Sequence, residues 1–207
     1  MEEFISFSKQ LAFASGEVIK KFFQSKIDVH FKEDQTPITI ADREAESVMR
    51  RMIREKYPDH GIMGEEFEAE NPNREYQWLL DPIDGTKNFV AGTPLFGSLI
   101  TLLRCGKLIL GVIHNPILGD VLVGDEKHAW LNDVIVGVRK CNVIEDATLL
   151  TTSHWSVWRH RNGQAFEALS RKVKMYRTWG DCYGYYLVAT GYADIMIDPA
   201  MYLWDIA

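Results

Sequence analysis

Tyr76-Gln77-Trp78-Leu79-Leu80-Asp81-Pro82-Ile83-Asp84-Gly85-Thr86-Lys87-Asn88-Phe89 is the stretch on which the reading of the chain turns. Its first five residues are a short β-rich run that stops at Asp81-Pro82, so they read as a strand feeding a loop. Two carboxylates then stand at a strand end, where such groups neither pack nor continue the element. Pro82 fixes φ and stiffens the turn, which can aim Asp81, Asp84 and the carbonyl of Ile83 at one volume. Gly85 lets backbone approach a ligand closely. A helix beginning near Thr86 would add N–H groups and a positive dipole end for a phosphate. Hard cations such as Mg²⁺ take six oxygen ligands, commonly a few carboxylates completed by water and substrate phosphate. An Asp-Gly pair by itself is more often a turn.

Towards the N-terminus, Gly64-Glu65-Glu66 follows a short apolar run and reads equally as a solvated loop or a ligand-bearing one. Residues 41–56 form an expected helix whose stripe is Ala45, Val48, Met49, Met52 and Ile53, ended by Pro58 and Gly61. Ahead of it, Thr36-Pro37 makes residues 32–40 an extended lead-in. Phe4, Phe7, Leu11, Ala14, Val18 and Phe22 alternate in steps of three and four, which predicts a helix over 3–24.

Towards the C-terminus, residues 97–104 and 108–114 flank Cys105-Gly106-Lys107 as an antiparallel hairpin, and 121–123 and 134–138 continue the sheet. The last third alternates: strands at 149–152, 174–178 and 193–197, helices at 164–173 and 183–190. A helix pair, then sheet, then alternation predicts stacked layers of an α+β protein. Residues 1–140 form an N-terminal half that carries the acidic motifs, and residues 141–207 a C-terminal α/β half.

The 207 residues are 46% apolar and 25% charged, enough to bury a core. A net charge of −6 argues against an extended nucleic-acid surface, which needs clustered Lys and Arg. Arg159, Arg161, Arg171, Lys172, Lys174 and Arg177 are spread along an amphipathic segment and read as a solvated face. Cys105, Cys141 and Cys182 show no C-x-x-C pairing, so neither a disulfide framework nor a zinc site is expected. His114, His154 and Cys182 read as packed or surface residues. No segment approaches a membrane span, and the charged N-terminus lacks a signal-peptide pattern. The expectation is a cytoplasmic protein without nucleic-acid or membrane partners.

Gly64-Glu65-Glu66, the string at 81–89 and Trp204-Asp205 together resemble the signatures of inositol monophosphatases and related small-molecule phosphatases. Lys32 and the run from Thr36-Pro37-Ile38-Thr39 to Ala41-Asp42 are similar to that family too. The resemblance implies a layered α/β/α/β/α sandwich of the carbohydrate (sugar) phosphatase type and Mg²⁺ as cofactor, two or three ions. It places a first ion on Glu65, Asp81 and the Ile83 carbonyl, and a second on Asp81, Asp84 and Asp205. Glu65 and Thr86, supported by Asp42 and Glu66, would orient and activate the attacking water. Asp84, Gly85, Thr86, Asp181, Asp198 and Asp205 would bind the substrate, a small phosphate ester. A homodimer is expected from the same likeness.

Gly180-Asp181-Cys182-Tyr183 and Pro94-Leu95-Phe96-Gly97 look like the histidinol-phosphate branch of the family. Histidinol phosphate carries an ammonium and an imidazole, and carboxylates at Asp181 and Asp198 would give charge-assisted hydrogen bonds that a polyol does not match. The alternatives are a helix cap for Asp181, a turn for Asp198, and inositol monophosphate or another sugar phosphate as substrate. A metal- and phosphate-binding protein without turnover is the alternative of another class. Family members continue beyond the Trp-Asp motif whereas this chain stops at Ala207, so Asp205 is expected to be poorly braced and this chain to bind Mg²⁺ more weakly than a full-length relative.

Overall fold

Helix α1 (Glu2–Phe22) carries Glu2 and Glu3 in its first turn and Lys20 and Lys21 in its last, which complements its dipole. Helix α2 (Ile40–Lys56) opens on a capping box: Thr39 donates its N–H (2.8 Å) and its hydroxyl (2.6 Å) to Asp42 Oδ2. The computed structural model describes residues 1–25, 29–31 and 37–206. The expected lysine and threonine at Lys32 and Thr36 lie outside the described residues. Strands β1 (Val29–Phe31) and β2 (Pro37–Thr39) pair as a small antiparallel ribbon ahead of α2.

The main sheet has seven strands in the order β3-β4-β5-β6-β7-β8-β9. They are β3 (Gly61–Gly64), β4 (Tyr76–Asp84), β5 (Gly97–Arg104), β6 (Lys107–Asn115), β7 (Asp120–Asp125), β8 (Ala129–Leu131) and β9 (Val134–Val136). Only β3 and β4 run parallel. Helices α1 and α2 pack on one face, where Phe7, Leu11, Met49 and Ile53 meet Trp78, Leu80, Ile100, Leu102 and Val112. Full burial of such side chains contributes about 1.5–3 kcal/mol each.

A 3₁₀ turn (Ile144–Asp146) leads into a parallel three-stranded sheet, order β11-β10-β12, of β10 (Thr148–Thr151), β11 (Met175–Arg177) and β12 (Ile195–Ile197). Three further helices accompany it: α4 (His154–His160), α5 (Gly163–Lys172) and α6 (Asp181–Ala189). A short α3 (Thr86–Val90) follows β4, and α7 (Leu203–Ile206) ends the description. No described helix is long and apolar enough to cross a membrane.

The structure departs from the sequence reading at several places. Strand β4 does not stop at Asp81-Pro82 but continues to Asp84, because its pairing with β5 shifts register between Asp81 and Asp84. Such a bulge leaves Pro82 outside the hydrogen-bonded ladder, where its missing N–H costs nothing. Helix α4 was not expected. Its seven residues bury Val157 and leave Trp155 and Trp158 exposed, so no stripe marks it, and Ser153 starts it by accepting the Ser156 N–H at 3.2 Å. Helix α6 begins at Asp181, two residues earlier than the 183–190 reading.

Candidate metal and phosphate site

The register shift in β4 places the acidic residues. Asp81 Oδ1 accepts the Ile83 N–H at 3.0 Å, which folds the strand end back on itself. From the other side, Ser98 on β5 donates to the Pro82 carbonyl at 2.8 Å and meets Ser15 of α1 at 3.0 Å. Asp84 Oδ2 accepts the Cys182 N–H from the first turn of α6, tying the two sheets together at this point. Carboxylate oxygens of Asp81, Asp84 and Asp205 consequently lie within 4.8 Å of one another. Asp205 is braced locally, since its Oδ2 accepts the Tyr202 N–H at 2.7 Å.

Glu65 is half-buried at the end of β3, and its N–H donates to the Leu80 carbonyl at 3.1 Å. It is not one of the three carboxylates within 4.8 Å, yet its charge helps push up Asp81, Asp42 and Asp205. Asp42 is buried, with Oδ2 committed to the α2 capping box. Thr86 donates its hydroxyl to the Ile83 carbonyl at 3.0 Å. Gly85 stands at φ 90, and a Cβ there would meet Leu95 O at 3.1 Å and Asp181 Oδ2 at 3.2 Å. Its hydrogen is therefore required by the left-handed turn and by its neighbours within the chain.

Asp181 and Asp198 belong to the same place. Both line a cavity of about 670 Å³ together with Asp84, Asp205, Lys87, Tyr185 and Trp204. Asp181 is not a side-chain cap, contrary to the capping alternative: Gly180 occupies the N-cap position, no side chain caps α6, and Asp181 itself has φ 50. Its Oδ2 instead accepts from Asn88 Nδ2 at 2.9 Å. Thr152 links the pair, since its Oγ1 accepts the Asp181 N–H at 2.7 Å and donates to Asp198 Oδ2 at 2.9 Å. A side chain at Gly180 would collide with Thr152, with a Cβ only 2.1 Å from its Cα.

Electrostatically the cavity is overloaded with acid. Burial, then the charges of Glu65, Asp84, Asp205 and Asp42, holds the Asp81 carboxyl well above its ordinary range. Asp84 is raised likewise by burial and by Asp181 and Asp205. Burial lifts Asp205 to about 6 and Asp42 to about 7. Asp181 rises to about 6 through burial and the Asp198 charge, against which Lys87 acts. Clustered, desolvated carboxylates of this kind repel unless protonated or joined by a cation. An all-oxygen set suits a hard divalent ion, so the residues present fit a metal centre.

The pairing of a seven-stranded with a three-stranded sheet and the carboxylate-lined cavity define a class, and the chain belongs to it: the model of the inositol monophosphatase family matches residues 1–207. Among curated proteins the chain is 39% identical to the bifunctional phosphatase IMPL2, chloroplastic, of Arabidopsis thaliana, over 99% of this chain and 60% of that protein. It is 36% identical to a histidinol-phosphatase of Chlorobaculum parvum, over 96% of this chain and 77% of that protein. The chain thus spans between about three-fifths and three-quarters of the length of these relatives, which are phosphatases by name. Among solved structures, an inositol monophosphatase from Zymomonas mobilis superposes with a TM-score of 0.88 at 33% identity, over 100% of this chain and 80% of that one.

Several residues of the site carried no signal in the sequence reading. Thr152 and Asn88 act by bonding residues far away in the chain. Lys87 lines the cavity from inside the acidic motif, where nothing in its spacing singles it out. Glu46 and Arg50 stood on the apolar side of α2, four residues apart, and that spacing on a core-facing stripe was the available clue.

Proposed function

We propose that this protein is a Mg²⁺-dependent phosphatase acting on histidinol phosphate. The observation that carries the proposal is the shared cavity, in which the carboxylates of Asp181 and Asp198 stand beside the cluster of Asp81, Asp84 and Asp205. Asp81, Asp84, Asp205, Glu65 and the Ile83 carbonyl would hold the ions. When bound, Mg²⁺ supplies charge neutralisation and Lewis acidity at the phosphoryl group and eases the ionisation of water.

The chain's own residues do the rest. Thr86 has committed its hydroxyl proton to the Ile83 carbonyl, so its lone pairs are left to accept from the attacking water and orient it. Glu65, whose N–H anchors it to the strand beside Asp81, takes the proton from that water. Gly85 and Thr86 offer backbone N–H groups to the phosphate oxygens. Asp181 and Asp198 receive the ammonium and imidazole of the alcohol portion, at about 1.5–3 kcal/mol for a charged hydrogen bond. Relatives named histidinol-phosphatase support the substrate, and a relative named inositol monophosphatase, 29% identical, supports the competing one.

Phosphate release is to be measured with histidinol phosphate, inositol 1-phosphate and fructose 1,6-bisphosphate, with Mg²⁺ and with chelator. The proposal expects Mg²⁺-dependent turnover with kcat/KM highest for histidinol phosphate by about tenfold or more. Turnover of inositol 1-phosphate alone would overturn the substrate, and no turnover of any ester would leave a binding protein.

A further inference from the structure

Helix α2 buries two charged side chains that none of the roles above uses: Glu46 is 0% exposed and Arg50 2%. Charges of this kind stay buried only when paired and bonded, and each must have its partners found. Arg50 Nε donates to Glu46 Oε1 at 2.7 Å. The other Glu46 oxygen, Oε2, accepts the Glu66 N–H at 2.8 Å. Three further bonds of Arg50 go to one loop: Nη1 to the Glu68 carbonyl at 3.1 Å and to Glu70 Oε1 at 2.7 Å, and Nη2 to the Phe67 carbonyl at 3.0 Å. That loop leaves β3 at Gly64 and returns at Glu70, whose backbone pairs with Ile62 through bonds of 3.0 and 2.8 Å. Gly64 itself has no room for a side chain, since a Cβ there would lie 2.1 Å from Glu46 Oε1.

We infer that Glu46 and Arg50 are positioning residues, a buried ion pair that holds the 65–70 loop and thereby sets where Glu65 stands against the Asp81-Asp84-Asp205 cluster. Glu65 is fixed from both sides. Its own N–H is bonded to Leu80 on β4, and the next N–H, of Glu66, is bonded to Glu46. A guanidinium forked over two loop carbonyls and a carboxylate is a rigid, directional clamp, whereas a hydrophobic contact would let the loop slide. Partners that orient ligands in this way typically change metal affinity by about 10–100-fold when removed.

The inference rests on the reading of Glu65 as a metal ligand, so the test reads metal binding and loop order separately. Glu46→Gln keeps the volume and removes the charge; Arg50→Lys keeps the charge and removes the fork. Mg²⁺ binding is followed by calorimetry, amide hydrogen exchange is followed across residues 65–70 in the metal-free protein, and thermal melting is recorded alongside. The expected result is faster exchange at Glu66 and Phe67 and a Mg²⁺ Kd raised about tenfold in both variants. Unchanged Mg²⁺ affinity in folded variants whose loop exchanges faster would overturn the positioning role while leaving the proposed function intact. If Glu46→Gln does not fold, Arg50→Lys alone decides between these results. A parent protein that binds no Mg²⁺ would instead sink the proposed function, and this inference with it.

Discussion

Asp181→Asn is the substitution that separates a cation-recognising carboxylate from a merely structural one. The backbone tolerates it, since Asp181 sits at φ 50, a left-handed conformation that Asn adopts readily. The bond to Asn88 Nδ2, 2.9 Å in the parent, keeps an amide oxygen as acceptor, and the Asp181 N–H still reaches Thr152. What changes is one negative charge facing the cavity. Loss of a charge-assisted hydrogen bond costs about 1.5–3 kcal/mol, which is about 10–150-fold in kcat/KM for histidinol phosphate. The phosphate ester of an uncharged polyol loses no such bond and should change by less than about threefold. The pH dependence adds a second signature. Burial and Asp198 raise the Asp181 carboxyl to about 6, so it is charged at pH 8 and mostly protonated at pH 5. The gap between parent and variant should therefore be wide at pH 8 and narrow at pH 5. Phosphate-release kinetics with both esters at the two pH values measures all of this. Equal losses on both esters, independent of pH, would refute the recognition role.

Further outcomes follow from the same geometry. Gly85→Ala should lower stability by about 1–2 kcal/mol from the left-handed backbone alone, with more from contact with Leu95 and Asp181, as read by denaturant melts. Asp42, Asp205 and Asp181 have folded values raised to about 7, 6 and 6. The stability they contribute to the metal-free protein is complete below the unfolded carboxylate range and is lost as pH rises through 6–7. The rise in melting temperature on adding Mg²⁺ should accordingly be larger at pH 8 than at pH 5; a larger rise at pH 5 would contradict the electrostatics. His114, buried and with no hydrogen-bond partner for Nδ1 among the described residues, has a folded value lowered from 6.5 to about 4. Its contribution, about 3 kcal/mol, is present above 6.5 and lost as pH falls towards 4, so His114→Gln should flatten the acid limb of a melting-temperature profile.

Much of the acidic cluster was visible in the sequence because its residues lie in short runs with abnormal chemistry. Asp81-Pro82-Ile83-Asp84-Gly85-Thr86 interrupts a strand with groups that a strand has no use for, and the structure gathers Asp81 and Asp84 with Asp205. The long helices were readable for a different reason, a stripe repeated over five or six positions, as at Phe7, Leu11 and Val18. The bulge in β4 was not readable, because it depends on Asp84 pairing with Gly97 of β5, beyond the intervening α3. Short α4 and three-residue β8 hold too few core-facing side chains to show a period. The helix-cap alternative for Asp181 failed because tertiary bonds to Asn88 and Thr152 outcompete local capping.

The central claim is that Asp81, Asp84 and Asp205 converge to hold a divalent cation, and calorimetric titration of Mg²⁺ near pH 7 in two buffers of different ionisation enthalpy tests it most directly. Because burial raises Asp81 and Asp84 well above the ordinary carboxylate range, binding should release protons to the buffer, and Asp81→Asn should abolish both the binding and the release. Binding of equal strength in parent and Asp81→Asn, with no proton released, would contradict it.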